Sequence, residues 1–130
     1  MREILFRGKR ADNGEWVYGS PIFQDNYALI RFWNSEEFNY EEYLVMPESI
    51  TEFTGVADKN GKKIFEGDII KSCEYDDIYL VKYCADDNYP AFDVVPEMNV
   101  ECNGLSHLHI VEGIEVIGNI HDNPELLKGE

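Results

Sequence analysis

Short apolar runs alternating with polar residues, each closed by Gly, Pro, Asn or Asp, recur along nearly the whole chain. A period of two puts every second side chain on one face of a strand, whereas an amphipathic helix needs a period of about 3.6. Glu3 to Arg7 reads as a first strand, with Ile4 and Phe6 on one face and Leu5 and Arg7 on the other. Asn13-Gly14 supplies the positive-φ positions of a tight reversal. Glu15 to Gly19 then returns, with Trp16 and Tyr18 on one side and Val17 on the other. Pro21 confines any extension to an edge or a break. Tyr27 to Trp33 is a third strand, apolar on both faces except for Arg31.

The next stretch departs from this rhythm. Ser35-Glu36-Glu37 predicts a helix start, Ser35 capping and the acids favoured in the first turn. Leu44 to Met46 is a short strand stopped by Pro47, and the spacing of Ile50 and Phe53 predicts a helical turn within Glu48 to Thr54. A second Asn-Gly pair lies in Asp58 to Lys62. Gly61 is expected at φ > 0, and Gly67 is expected to bend the chain into the apolar run Ile69-Ile70. A Gly-Asp-Ile-Ile run after a turn opens many small SH3-like barrels. Strands follow at Ile78 to Cys84, Ala91 to Val95, Leu105 to Val111 and Ile114 to Ile120. Asp122 to Leu127, with Pro124 at the first helical position, predicts a helix of about two turns.

The expected fold class is therefore mainly β: an N-terminal antiparallel sheet packed on a partly open SH3-like β-barrel, with short helices. A boundary near Val56 to Lys59 divides a single domain, residues 1–130, into sub-units 1–57 and 58–130. Halves this small bury too little surface to be stable alone, so they are expected to pack together.

Composition limits the function. Eleven basic residues against 26 acidic ones give a net charge of −15, which disfavours a nucleic-acid-binding surface unless the cations cluster. Eight of the basic residues form two islands, Arg2, Arg7, Lys9 and Arg10, then Lys59, Lys62, Lys63 and Lys71, expected to pair with carboxylates of this chain or of another subunit. A hydrophobic content of 44% excludes a disordered tail. There is no apolar run of the roughly 20 residues a membrane helix needs, and no apolar signal core near Met1. Cys73, Cys84 and Cys102 are odd in number and contain no CxxC pair, so neither a disulfide framework nor a structural zinc site is expected. These readings place the protein in the cytoplasm, without cofactor or membrane contact.

Candidate chemistry is sparse. His107 and His109 share a face if their segment is a strand, and with His121 or Cys102 they would make a transition-metal site. The alternative puts both on the solvent face, with Leu108 and Ile110 in the core. Asp76-Asp77 and Asp86-Asp87-Asn88 lack calcium-loop spacing and read as solvated turns. Glu36-Glu37 and Glu41-Glu42 read as surface acids, and no cysteine sits in an activating motif. The aromatics are the better lead. Tyr79, Val81 and Tyr83 fall on one strand face with Tyr75 nearby, rimmed by Asp76, Asp77, Asp86 and Asp87. Tyr75, Tyr79 and Tyr83 are thus a possible protein-binding surface. The alternative divides the aromatics, including Trp16, Tyr18, Tyr27, Phe32, Trp33 and Tyr89, between two small cores.

Three stretches carry a family resemblance. The first is Arg2 to Lys9 with Gly14-Glu15-Trp16-Val17-Tyr18-Gly19. The second runs from Pro47 through Phe53-Thr54-Gly55 and Asp58-Lys59-Asn60-Gly61-Lys62 to Ile64-Phe65-Glu66-Gly67-Asp68-Ile69. The third is Glu115-Val116-Ile117-Gly118-Asn119-Ile120 with Asn123-Pro124-Glu125-Leu126-Leu127. Together they resemble the YopX family, small proteins encoded by bacteriophages and by prophages of Gram-positive bacteria. The resemblance implies a mainly β protein of a mobile element acting inside a bacterial cell, and it brings no catalytic residues. The expected function is non-enzymatic: binding a host or phage protein, or assembling into a homo-oligomer. The alternative is an acidic DNA mimic that blocks a host nucleic-acid-binding protein, with a metal- or cysteine-dependent enzyme third.

Overall fold

A computed structural model describes residues 3–84, 91–96 and 103–127. Ten strands are present among them: β1 (Phe6–Lys9), β2 (Trp16–Phe23), β3 (Ala28–Asn34), β4 (Asn39–Val45), β5 (Thr51–Ala57), β6 (Lys63–Phe65), β7 (Asp68–Ser72), β8 (Ile78–Cys84), β9 (Ala91–Val95) and β10 (Ile114–Asn119). One helix, α1 (Gly104–His107), continues as a π-helical turn over Leu108–Glu112, and 3-10 turns cover Pro47–Ser49 and Pro124–Leu127. The protein is mainly β, built from antiparallel, open sheets. The chain divides within β5 into two units, Met1–Phe53 and Thr54–Glu130.

In the first unit the strand order is β4-β3-β2-β1-β5. β2 changes partners along its length. Trp16 to Gly19 pair with β1, and Ser20 to Phe23 pair with β3. Pro21 lies beyond the β1 pairing, opposite Ile30, so its missing N–H costs no ladder bond on the β1 side. Alternation sends Phe6, Val17, Ala28, Ile30 and Val45 to one face, where they pack with Ile50 into a small core. Ser49, fully buried, anchors this core: its Oγ accepts the Lys9 amide at 2.7 Å and donates to the Met46 carbonyl at 2.6 Å. Ala11 N donates to Leu44 O, and Met46 N to Lys9 O, drawing the end of β1 to the end of β4.

Two local expectations fail here. Ser35-Glu36-Glu37 opens no helix; it is the loop of the β3–β4 hairpin. Asn34 Oδ1 accepts the amides of Glu36 and Glu37, an arrangement that competes with helix, and Phe38 completes the reversal at φ 54°. Cross-strand contacts of Trp33 with Tyr40 and Phe32 with Tyr43 then favour the hairpin. Glu48 to Thr54 is likewise only briefly helical. The 3-10 turn ends at Ser49 and strand β5 begins at Thr51, because Thr51 and Glu52 pair with Arg7 and Phe6.

In the second unit β5 is hydrogen-bonded to β6, and a four-stranded sheet has the order β10-β7-β8-β9. Its core joins Ile64, Ile70, Tyr79, Val81, Val94 and Ile114 to Leu105 and Leu108. Gly61 and Gly67 have φ of 83° and 90°, the left-handed region expected for their turns. The segment Leu105 to Val111 is helical, not the strand its alternation suggests. Asn103 caps it: Oδ1 accepts the Ser106 amide, and Nδ2 donates to the Phe92 carbonyl. Leu105 and Leu108, three apart, then share a helix face toward the sheet. The tail shortens from the expected helix to the 3-10 turn Pro124–Leu127.

Candidate functional site

The unit 1 sheet has a second face, opposite its core. Register and alternation place Arg7 on β1, Trp16 and Tyr18 on β2, Arg31 and Trp33 on β3, and Tyr40 and Leu44 on β4 together on it. Tyr18, Trp33, Tyr40 and Leu44 are 46%, 50%, 58% and 50% exposed. The rings are ordered by neighbours. Trp33 meets Tyr40 edge-on at 5.0 Å between centroids, and the Arg31 guanidinium lies 4.1 Å over the Tyr40 ring. Arg7, nearly buried, lies 4.5 Å over Trp16 and donates from Nε to Thr51 Oγ1 at 3.2 Å. Each stack holds a side chain flat against the sheet at little entropic cost on binding.

The register positions of this face on β1–β4 carry the charged residues Arg7, Lys9, Arg31 and Glu42, of which Arg7 is nearly buried. Arg31 Nε is 3.8 Å from Glu42 Oε2, with both side chains about half exposed, a pair that holds little energy. A groove of about 350 Å³ opens here between Ser20, Ile22, Arg31 and Tyr40. A neighbouring cavity of about 380 Å³ is lined by Arg10, Asp12, Tyr43 and Leu44. There Arg10 lies 4.2 Å over Tyr43 and holds Asp12 in a two-point contact at 3.0 and 2.7 Å. That hydrogen bonding lowers the Asp12 pKa and raises that of Arg10, so this cation is already matched.

A second constellation lies in unit 2. Glu112 is buried between Ser72, whose Oγ donates to Oε1 at 2.6 Å, and His107, whose Nε2 lies 3.2 Å from Oε2. The order is wrong for nucleophilic catalysis, since the histidine meets the carboxylate and not the hydroxyl. Ser72 Oγ also accepts the amides of Glu74 and Tyr75, so its proton and lone pairs are committed to the β7–β8 turn. Nearby, the Glu74 charge and hydrogen bond raise the Tyr75 pKa, and burial followed by the Asp77 and Glu112 charges raises that of Tyr79. Both phenols stay neutral near pH 7.

The three tyrosines expected to form one surface are separated. Tyr75 is 63% exposed in the β7–β8 turn, and Tyr83 is 43% exposed, edge-on to Phe92. Tyr79 is a core residue, because the face of β8 that it shares with Val81 is the one the helical segment covers. The histidine pair also separates. On a helix, residues two apart diverge by about 200°, so His107 turns to Glu112 while His109 is exposed. Cys102, Asp86-Asp87-Asn88 and Tyr89 lie outside the described residues. Among the described residues no group of three His, Cys, Asp or Glu side chains is placed to hold a metal ion. Asp76 and Asp77 are exposed in their turn, with Lys71 Nζ 3.7 Å from Asp76. The unit 1 face escaped sequence reading because Glu41-Glu42 and the Ser35 cap hid β4. The signal was present as Tyr40, Glu42 and Leu44 at period two.

A family model described as YopX protein matches residues 5–128. The chain belongs to the YopX family. A solved relative of this YopX-family chain is protein EF1440 from Enterococcus faecalis, in a crystal structure similar over 98% of this chain and 99% of that one. The two are 26% identical, with a TM-score of 0.61. No curated protein sequence matches the chain. No helix among the described residues is long and apolar enough to cross a membrane.

Proposed function

We propose that this YopX-family protein is a non-enzymatic binding module, acting inside the bacterial cell on behalf of a phage or prophage, that docks a protein on the aromatic–arginine face of β1–β4. The observation that carries the reading is the grouping of exposed Tyr18, Trp33, Tyr40 and Leu44 on one face, with rings braced by Arg31 and Arg7. Aromatic and arginine side chains dominate binding energy at protein interfaces. The groups on this face offer contact area and charge, not a nucleophile beside a base. A DNA-mimic reading ranks second and draws on the net charge of −15.

Affinity capture from induced or infected host cells, run with wild type and with the Trp33→Ala/Tyr40→Ala variant, tests the proposal. A protein recovered by the wild type and lost by the variant supports it. A partner retained equally by both moves the binding site elsewhere. Recovery of nucleic-acid-binding proteins by both favours the mimic.

A further inference from the structure

We infer that Asn60 is a site of spontaneous deamidation: its side-chain amide closes onto the Gly61 nitrogen and is lost as ammonia, and the isoaspartate that follows loosens the turn before β6. Water is the only co-reactant. The Gly61 amide gives its proton to a solvent base, and its nitrogen lone pair attacks Asn60 Cγ, forming an N–Cγ bond. The Cγ–Nδ2 bond then breaks, Nδ2 takes up a proton and leaves as ammonia, and a cyclic succinimide remains. Water opens this ring at either imide carbonyl. Breaking the bond from nitrogen to Cγ gives aspartate at position 60. Breaking the bond from nitrogen to the backbone carbonyl carbon gives isoaspartate, whose main chain runs through the former side chain.

Asn-Gly pairs occur at Asn13, Asn60 and Asn103, and the structure sets one of them apart. Glycine has no Cβ to cover the attacking nitrogen, so the asparagine side chain governs closure: it must swing until Cγ meets that nitrogen. Asn13 is held at both ends, since Oδ1 accepts the Glu15 amide at 2.9 Å and Nδ2 donates to Glu15 Oε1 at 3.3 Å. Asn103 is held likewise, with Oδ1 accepting the Ser106 amide at 3.0 Å and Nδ2 donating to the Phe92 carbonyl at 2.8 Å. Its Gly104 is buried in α1. Asn60 is exposed, and among the described residues its side chain makes no hydrogen bond. A Cβ placed on Gly61 would meet nothing within 4 Å, so the space beside it is open. The Gly61 and Gly14 amides are alike in donating to a carbonyl, at 2.9 and 3.0 Å, which leaves the side chains to decide between those two sites.

Charge favours the same residue. Closure passes through an anionic nitrogen and an oxyanion. Asn60 stands between the exposed Lys59 and Lys62, with Asp58 the acid of the turn, whereas Asn13 stands between Glu15 and Asp12, the latter already paired with Arg10. Cations beside a developing negative charge stabilise it, and acids do the reverse. The product matters because this turn is a joint. Asp58 Oδ1 accepts the Lys62 amide, Asp58 N donates to Lys62 O, and Gly61 N donates to Asp58 O. Isoaspartate inserts one carbon into the main chain ahead of Gly61 and displaces these groups from their partners. Aspartate keeps the chain length and the turn.

Peptide mapping by mass spectrometry of protein aged in mildly alkaline buffer, with an isoaspartyl methyltransferase assay, tests the inference. The peptide holding Asn60 is expected to exchange its amide NH2 for OH at least about fivefold faster than those holding Asn13 or Asn103, the factor one net hydrogen bond represents. It is also expected to become a methyl acceptor. Asn60→Ser is expected to abolish that acceptor and leave the other two peptides as in the wild type. Aged wild type is expected to melt below fresh protein, and aged Asn60→Ser to melt with fresh Asn60→Ser. An Asn60 that stays intact overturns the inference, as does equal or faster change at Asn13 or Asn103. Aged protein that carries isoaspartate at position 60 and still melts like fresh protein overturns the loosening of the turn.

Discussion

One carboxylate oxygen of Asp58 accepts the amide of Val116 at 3.0 Å, while the other accepts those of Asn60 and Lys62, each at 2.9 Å. A single buried side chain thus closes the turn before β6 and ties it to β10, 58 residues further along.

This pairing predicts an acid-labile element. Burial alone would raise the Asp58 pKa, but the three backbone amides outweigh it and hold the carboxyl below its ordinary 3.8. The folded state therefore binds this proton less readily than the unfolded chain. Its contribution is full above about pH 5 and is lost as pH falls through the depressed folded pKa. Asp58→Asn keeps only one acceptor oxygen and turns an amide toward a backbone N–H. It is expected to cost about 1–3 kcal/mol near pH 7 and to flatten the acid limb of stability. Urea unfolding across an acid pH series checks both, and an unchanged acid limb in the variant counts against Asp58 as its source.

Ser49 is expected to matter as much as a larger core residue. Ser49→Ala leaves the Lys9 amide without the acceptor it uses inside unit 1, at a cost of about 1–3 kcal/mol. The readout is the urea midpoint at constant slope. A loss below a few tenths of a kcal/mol would mean that water replaces the hydroxyl.

Gly61 and Gly67 are backbone requirements. Both sit at positive φ in turns, where a β-branched side chain is strained, so Gly61→Val and Gly67→Val are each expected to cost about 1–3 kcal/mol. For Gly67 the strain would also disturb its amide bond to Val81 O and the Ile120 amide bond it accepts. Thermal melts of the two variants measure the effect, and melts matching the wild type would show that the turns tolerate a Cβ.

Tyr75 is a reporter of its turn. Glu74 is the main source of its raised pKa, through charge and hydrogen bond, with Glu112 adding a smaller push. Glu74→Gln is therefore expected to bring the phenol back toward its ordinary 10.0, and Glu112→Gln to move it less in the same direction. Alkaline titration followed by phenolate absorbance, compared between variant and wild type, reads the change. A larger effect from Glu112→Gln would reverse the ranking of the two acids.

Local chemistry made much of this protein legible in advance. The period-two runs became strands at Ile78–Cys84, Ala91–Val95 and Ile114–Asn119, and Gly14, Gly61 and Gly67 took the positive φ expected of their turns, while Asn13 and Asn60 did not. The family was legible for a related reason, since its motifs sit in these same turns and strands. Such signals act within a few residues, so no distant contact is needed to read them.

Long-range contacts decided the rest. Leu105 to Val111 carries apolar residues compatible with either period, and the helix prevailed because Asn103 reaches the Phe92 carbonyl while Asp93 Oδ1 accepts the Leu105 amide. Alternation showed that Tyr79 and Val81 share a face, but only the packing of Leu105 and Leu108 determined that this face is covered and that Tyr79 leaves the surface. Arg31, Trp33 and Tyr40 likewise meet only through the β3–β4 register, and Trp16 meets Arg7 only through β1–β2. A period reveals which side chains lie together on one strand. Which strands stand side by side, and which face is then buried, depends on pairing energies between distant segments, and that information exists only in the folded chain.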